Sequence, residues 1–521
     1  MPERVIQEPL QTPTILKIPK LDEKVKEAVL QTSLYTDAQS VMEEELEELR
    51  LSSPIVTNDW DTVSICRISA LNQVIRDKKT YPKDVEGTFT DGATTYELYA
   101  GFSPWQIANG GDGKNVQIST ALSGGRIEVI GANGNSIYSV DGTSMKLQVK
   151  LDYFPQPKPV ADNGDYELKV KTDSASQEDP IVAIVSFTPP SKLPFIIKAV
   201  LQEILLNWFN LPENLARFNT LFSTVTINNI GKDEDFEWLQ PTYMSYACTS
   251  LKDGSDGLFG VLCMVKGRDG TENHNQIPAV SMSENQNAVF LINKEVFIKY
   301  QFLPSLPQAF KNAKPEDFSI DDAGLTITAK DLSLETVRHG AIDYQPKLGS
   351  LKVTFNETTI DTVTIINTNI SPGIDTVTTI VTSHTLAMGK NSKDEPIMIY
   401  KNVGDPVTSN ETHVAAWVIV TEVIVELIIA VVAAVAGNVV KTVVKRIVIT
   451  VIVAIIVAVI SVIIHVIIEK VISEGVTENI PSIAPMVKSG TKPIKWPFAV
   501  KDEFEISDMK YYGSLAFYGA V

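Results

Sequence analysis

The stretch from Val414 to Ser473 constrains this chain more than any other part of it. Val414–Ala436 runs for 23 residues broken only by Thr421, Glu422 and Glu426, and Ile447–Ile468 runs for 22 with only Thr450, Ser461 and His465 polar. Between them lie Gly437, Asn438, Lys441, Lys445 and Arg446. Each run is long enough to cross a bilayer as a helix, which takes about 20 apolar residues. Hydropathy alone therefore reads two transmembrane helices with a basic tip. Two features favour another reading. Glu422 and Glu426 stand i,i+4 on one helix face, where each is costly at mid-bilayer, and the rest of the chain reads as β-rich. In that reading the run is one long helix, or a broken pair, sheathed by curved sheet. A continuous helix over this stretch would extend roughly 90 Å. Val and Ile are poor intrinsic helix formers, so tertiary burial must hold it. The sheathed helix is the expectation; a membrane-inserting, pore-forming hairpin over 414–468 is the alternative.

Composition narrows the partners. The 521 residues carry a formal charge of −18, which argues against nucleic acid, whose backbone needs basic surface, and against simple attraction to anionic lipid. Membrane contact would have to be apolar or use a local basic patch. The cysteines, Cys66, Cys248 and Cys263, are too few for a disulfide framework and lack metal-type spacing. Met1–Leu10 holds Glu3, Arg4 and Glu8 and no apolar core, so no secretory signal is read. Synthesis in a reducing bacterial cytoplasm is expected, with release alongside other components left open.

Along the chain, residues 1–54 read as an extension, broken by prolines and carrying an acidic helix over Asp37–Arg50. A solvated helix is the plain reading of that segment and a docking arm the functional one. Thr57 or Asn58 can N-cap a helix with Asp59 and Asp61 in its first turn. Trp60, Val63, Ile65, Ile68, Leu71, Val74 and Ile75 then recur at mostly helical spacing, predicting a helix over Thr57–Arg76. Strands are expected from Val85 to Pro189, punctuated by Gly110-Gly111-Asp112-Gly113, Ser123-Gly124-Gly125, Asn133-Gly134 and Asp141-Gly142. A helix is expected over Leu193–Trp208, and strands again from Leu221 to Tyr400. Ile360–Ile365 and Ile374–Thr378 nearly repeat each other around Ser371-Pro372-Gly373, the pattern of a half-buried hairpin.

No catalytic constellation is visible. His274, His339, His384, His413 and His465 are scattered, and nucleophile-elbow, zinc-protease and P-loop motifs are absent. Gly110–Lys114 and Asp253–Gly257 read as turns; the second lacks the further acidic position and closing Glu of a calcium loop. No enzyme, cofactor or metal is expected.

Several motifs, in order, resemble one family. Asn58-Asp59-Trp60-Asp61-Thr62-Val63 is similar to its opening Gly-Trp-Asp-Thr-Val stretch, with Asp59 where the family usually has Gly, and Asn72 matches the Asn that follows. Further matches are Gly101–Ile107, Phe218–Val225, Trp238–Tyr243, Gly260–Met264, Phe302-Leu303-Pro304 and the closing Leu515–Gly519. The chain from about residue 55 onward resembles the forty-seven-kilodalton accessory proteins of botulinum neurotoxin gene clusters and their OrfX relatives, in the TULIP superfamily. The resemblance implies an α+β fold, elongated, with strongly curved antiparallel sheets wrapped around long helices. The chain is expected to comprise an extension over 1–54 with the acidic helix, a first TULIP-like half over 55–215, and a second over 216–521 that includes the apolar helix 414–473; the extension and that Val/Ile-rich helix are unusual for the family. The resemblance also implies a lipid or other hydrophobic small molecule held between helix and sheet, or association with other toxin-cluster proteins without lipid. Candidate groove residues are Trp60, Val63, Ile68, Leu71, Trp417, Ile424, Leu427, Val431, Ile455 and Val459.

Overall fold

The computed structural model describes residues 14–17 and 53–521, apart from 133, 156–163, 173–179, 228–235, 252–255, 279, 311, 335, 340, 419–479 and 501–502. The chain divides into two compact units. One comprises Ile55–Asn293, Val487–Asp508 and Ala516–Val521; the other comprises Met1–Pro54, Lys294–Met486 and Met509–Leu515.

In the unit that begins at Ile55, strand β1 (Thr62–Arg67) leads directly into helix α1 (Ile68–Lys78). This corrects the helix expected over Thr57–Arg76. Asn58 and Asp59 both adopt positive φ, 51° and 66°, so the chain turns there instead of starting a helix. Thr62–Arg67 is paired on both edges and buried on both faces. A short β-branched run of that kind cannot be told from a buried helix by spacing alone. The turn of α1 is closed from afar: Asp256 accepts hydrogen bonds from the Ser69 amide (3.1 Å) and hydroxyl (2.6 Å), the chemistry of an N-cap.

A seven-stranded antiparallel sheet follows. It holds β2 (Asp84–Asp91), β3 (Thr94–Phe102), β4 (Val116–Gly131), β5 (Ser144–Val149) and β6 (Val182–Thr188), in the order β6-β5-β4-β3-β2. The long strand β4 serves four partners: β5 through Val116–Ala121, β3 through Leu122–Ile130, and the short strands Gln106–Ile107 and Gly134–Ser139. Helix α2 (Phe195–Asn210), expected from sequence, lies against this sheet. Gly87 makes the approach feasible, since a Cβ there would stand 2.5 Å from Ile204 Cγ2. Asn210 pins the helix end to β6, accepting from the Ile181 and Val182 amides and donating to the Val182 carbonyl. An aromatic cluster of Phe102, Trp105, Phe209 and Phe218 fills the space between.

The same unit contains β7 (Pro241–Ser250), β8 (Gly257–Val265) and β9 (Ala288–Asn293), ordered β7-β8-β1-β9. Every residue of β8 is buried, as expected for a strand with apolar packing on both faces.

The unit containing residues 294–486 is built on β10 (Lys347–Phe355), β11 (Ile360–Ser371), β12 (Ile374–Lys390) and β13 (Val407–Val414). The expected hairpin is present, with Gly373 at φ 79°. The two near-repeats do not face each other: Ile360 pairs with His384 and Ile374 with Ser371. Within the region read as an extension, Thr14–Lys17 forms a strand paired with β13.

The fold is mostly antiparallel sheet with few helices. The longest helix among the described residues is α2, with 16 residues, and no described helix is long and apolar enough to cross a membrane. The long helix expected from Val414 does not start there, because Val414 ends strand β13. Residues 419–479 of that expectation, and the acidic helix over Asp37–Arg50, lie outside the described residues.

Candidate functional site

The motif around Trp60 proves to be scaffolding. Trp60 stacks on Tyr243 with ring centroids 6.0 Å apart and donates from Nε1 to the His274 carbonyl at 2.8 Å. Asp61 is fully buried, bonds Arg268 and accepts from the Val265 amide at 2.8 Å. Asp59 sits at the positive φ that favours glycine, which Asn and Asp tolerate best among other residues. Asn72 grips the backbone of Ile107 in both directions, donating to its carbonyl (3.0 Å) and accepting from its amide (2.7 Å). These residues fix chain turns.

A cavity of about 580 Å³ opens in the same unit. One wall is the sheet face bearing Ser64 of β1 and its cross-strand partner Phe290 of β9. The opposite side is the C-terminal part of the unit, entered through helix α3 (Ala484–Thr491). Gly490 allows that helix to lie on Phe290, because a Cβ would stand 2.4 Å from the ring. The chain then supplies Ile494, Trp496, Ala499 and Phe504 to the lining, and Val521 closes it. Trp496 stacks on Phe498 at 6.0 Å.

Lys488, Lys492, Lys495 and Glu503 are among the described residues that line the cavity. Lys488 and Glu503 form an ion pair. At the sheet wall, Ser64 is only 4% exposed and its Oγ has no hydrogen-bond partner. A buried hydroxyl left unpaired costs roughly 1–3 kcal/mol unless something answers it. The site thus offers largely apolar walls in a volume typical of small-molecule pockets.

A second, polar cleft of about 410 Å³ lies beside α1, lined by Asn72, Arg76, Asn109, Lys146 and Asp256 among others. Its groups largely answer one another: Asp256 caps α1, Lys146 donates to the Asn109 carbonyl at 3.3 Å, and Asn72 holds Ile107. Burial pushes the Cys248 and Cys263 thiols up to about 12, and raises Cys66 as well. All three are protonated near neutrality and are poor nucleophiles. Among the described residues no three His, Cys, Asp or Glu side chains gather as a metal site.

Of the groove candidates read from sequence, Trp60, Val63, Ile68 and Leu71 are buried core residues, and Ile68 also lines the polar cleft. Trp417 is 69% exposed. Ile424, Leu427, Val431, Ile455 and Val459 lie outside the described residues. The residues of the cavity itself were not singled out from sequence. A signal existed in Lys488–Trp496, where three lysines and a tryptophan stand close together in an acidic chain.

The OrfX-like family model, described as Protein OrfX2/OrfX3/P47, matches residues 57–519. The chain belongs to the OrfX-like family. Protein OrfX3 of Paraclostridium bifermentans is 29% identical over 386 residues, 68% of this chain and 77% of that protein. Protein P47 of Clostridium botulinum (strain Kyoto / Type A2) is 22% identical over 302 residues, 57% of this chain and 68% of P47. Among solved structures, P47 from Clostridium botulinum A2 superposes with a TM-score of 0.62 at 17% identity, covering 90% of this chain and 99% of P47. P47 of Clostridium botulinum E1 gives 0.59 at 16% identity, covering 88% and 98%. At these identities the structures show that this OrfX-like chain shares the P47 fold. The residues matched by the family model include the Trp60 turn, the Asn72–Ile107 clamp and all of the cavity lining except Val521.

Proposed function

We propose that this OrfX-like chain is a non-catalytic accessory protein of the toxin-cluster type that holds an apolar or amphipathic small molecule. The ligand occupies the cavity between Ser64–Phe290 and Ile494–Phe504. The observation that carries this reading is the cavity itself: about 580 Å³ with Phe290, Ile494, Trp496 and Phe504 on its walls. Burying that much aromatic and aliphatic surface against a ligand chain is favourable at roughly 25 cal/mol per Å² of apolar area removed from water. The reduced nucleophilicity of the three thiols supports a binding role over a covalent one. The TULIP resemblance agrees with an apolar ligand.

Native mass spectrometry of the gently purified chain tests the proposal. A co-purified species that is lost on delipidation and rebinds with one-to-one stoichiometry is the expected result. A chain that carries no apolar ligand and binds none after addition would contradict it. Association with other proteins of a toxin cluster would then be the better account.

A further inference from the structure

We propose that the start of helix α2 is a docking tip for the surface of an anionic lipid bilayer, with Phe195 and Ile196 entering the headgroup boundary and Lys192 and Lys198 set against the lipid phosphates. The tip is separate from the ligand cavity, and its role does not depend on what the cavity holds.

The chain enters α2 through Pro189, Pro190 and Pro194. Leu193 and Ile197 are buried, whereas between them Phe195 stands 86% and Ile196 51% exposed. Phe195 is the most exposed aromatic side chain among the described residues. This exposure belongs to a fixed part of the fold. Leu193 and Ile197 anchor the backbone on either side, and Lys198 Nζ donates to the Ser191 carbonyl at 3.3 Å, tying the helix to the turn before it. Single exposed apolar residues are ordinary. Two large neighbours held outward between buried anchors gain nothing from the packing of the fold.

Further along α2 the exposed residues are polar: Gln202, Glu203 and Asn207, as expected where a helix meets water. The large apolar exposure is therefore confined to the first turn. Two such side chains present on the order of 300 Å² of surface. Each partner of a stable protein pair contributes roughly 800 Å², so the tip is too small for that use. A bilayer makes a different demand, an apolar face reaching about 5–10 Å into the headgroup boundary.

Charge points to the same occupant. Lys192 and Lys198 flank the two apolar side chains in sequence, and the first turn of α2 holds no acidic residue. Lysine stems lie along apolar surface while their ammonium groups stay at headgroup level. The formal charge of −18 does not forbid the contact, because exposed charges beyond the Debye length of about 8 Å at physiological ionic strength are largely screened.

Flotation of the full-length chain with vesicles tests the proposal, using phosphatidylcholine alone and a two-to-one mixture with phosphatidylglycerol. Binding to the mixed vesicles should be about five- to tenfold tighter than to phosphatidylcholine. Lys192→Glu/Lys198→Glu should remove that preference without harming the fold, since an acid suits the start of a helix. Phe195→Ser/Ile196→Ser should weaken binding to both vesicles about tenfold or more, with an unfolding midpoint matching that of the unsubstituted chain, as both side chains are exposed. A nitrobenzoxadiazole dye on Phe195→Cys reads the contact itself, because Cys66, Cys248 and Cys263 are buried and stay unlabelled in the folded chain. Its emission should brighten and shift to the blue with mixed vesicles, whereas the same dye on Gln202→Cys, about 10 Å further along the helix, should change little. Absence of binding to either vesicle, equal binding to both, binding that survives Phe195→Ser/Ile196→Ser, or equal dye responses at 195 and 202 would overturn the proposal. Self-association of the chain that the same double substitution abolishes would overturn it too, since the tip would then be a contact between two copies.

Discussion

The β7-β8-β1-β9 strands and the β11-β12-β13 strands bury their faces by different mixtures of side chains. In the first group the buried residues are mainly Val, Leu, Ile, Phe and Cys, and β8 is buried at every position. In the second, the buried side of the strands carries Thr362, Thr364 and Thr368 on β11, Thr376, Thr378 and Thr382 on β12, and Thr408, Asn410 and Thr412 on β13. Thr is shaped like Val and fits a pleated surface equally well, but its hydroxyl needs a partner when buried. Some partners are present: Thr378 donates to Asn410 Oδ1 at 2.8 Å and Thr376 to the Glu411 carbonyl. Others are absent, as the Asn410 amide nitrogen and the Thr412 hydroxyl have none. The difference teaches that burial and apolarity are separate properties. One group of strands is held almost wholly by apolar packing, the other by buried Ile360, Ile366, Ile374 and Ile380 interleaved with a partly satisfied polar lattice.

The largest expected effect is on the apolar side. Phe259 is fully buried between Phe222 and Tyr246, with centroids 5.6 and 6.2 Å away. Phe259→Ala should cost about 3–5 kcal/mol in urea unfolding, through lost burial and the cavity left behind. A loss below about 1 kcal/mol would mean that this packing is not what holds the strands.

Acid should strike the polar side next. His384 lies on β12, buried, with its pKa pushed down to about 4 by desolvation, opposed by a hydrogen bond with Asn402 and the charge of Asp361. The folded state therefore keeps the imidazole neutral while the unfolded chain protonates near its ordinary value of 6.5. Stability from this group is complete above pH 6.5 and is lost as pH falls from there towards 4. The loss is of order 3 kcal/mol across that window. His384→Gln cannot titrate, so its difference from the unsubstituted chain should shrink by that amount as pH falls. A pH-independent difference would contradict the assignment.

Asp61 sharpens the contrast, being a buried charge within the apolar group. Asp61→Asn removes the ion pair with Arg268 while leaving an acceptor for the Val265 amide. Because Arg268 is 44% exposed, part of the pair is screened by water, and the expected loss is about 2 kcal/mol by chemical denaturation. The smallest effect concerns Thr378→Val/Asn410→Leu. Replacing both partners by apolar groups of similar shape should change stability by less than about 1 kcal/mol, whereas Thr378→Val alone should be worse than the pair. Double-mutant analysis reads this directly; a single substitution better tolerated than the pair would break the account of the polar lattice.

Much of this architecture is legible in the chain. The hairpin around Pro372-Gly373 and helix α2 follow from local chemistry: a turn needing positive φ, and a dense apolar face behind Pro194. The family motifs also lead to the P47 fold. What misleads is the segment after Thr57, where a strand buried on both faces and a helix follow each other without a break, so that Trp60 to Ile75 resembles one helical period. Only pairing with β8 and β9, about 200 residues away in sequence, separates them. The cavity is harder still. Ser64 is an ordinary serine until the strand register sets it beside Phe290 and Lys488–Phe504 returns to cover it. The basic cluster there is visible in the sequence, but its apolar counterpart lies more than 190 residues earlier. No local period links them.

The location of the ligand can be read most directly from tryptophan. Trp496 lines the cavity, whereas Trp417 stands exposed beside the apolar run that sequence alone singles out. A brominated palmitic acid quenches indoles only at close range, so it should quench the fluorescence of the delipidated chain at stoichiometric addition. The account predicts that Trp496→Phe loses most of this quenching and Trp417→Phe keeps it. Quenching that survives Trp496→Phe and disappears in Trp417→Phe would contradict it and move the ligand to the apolar run.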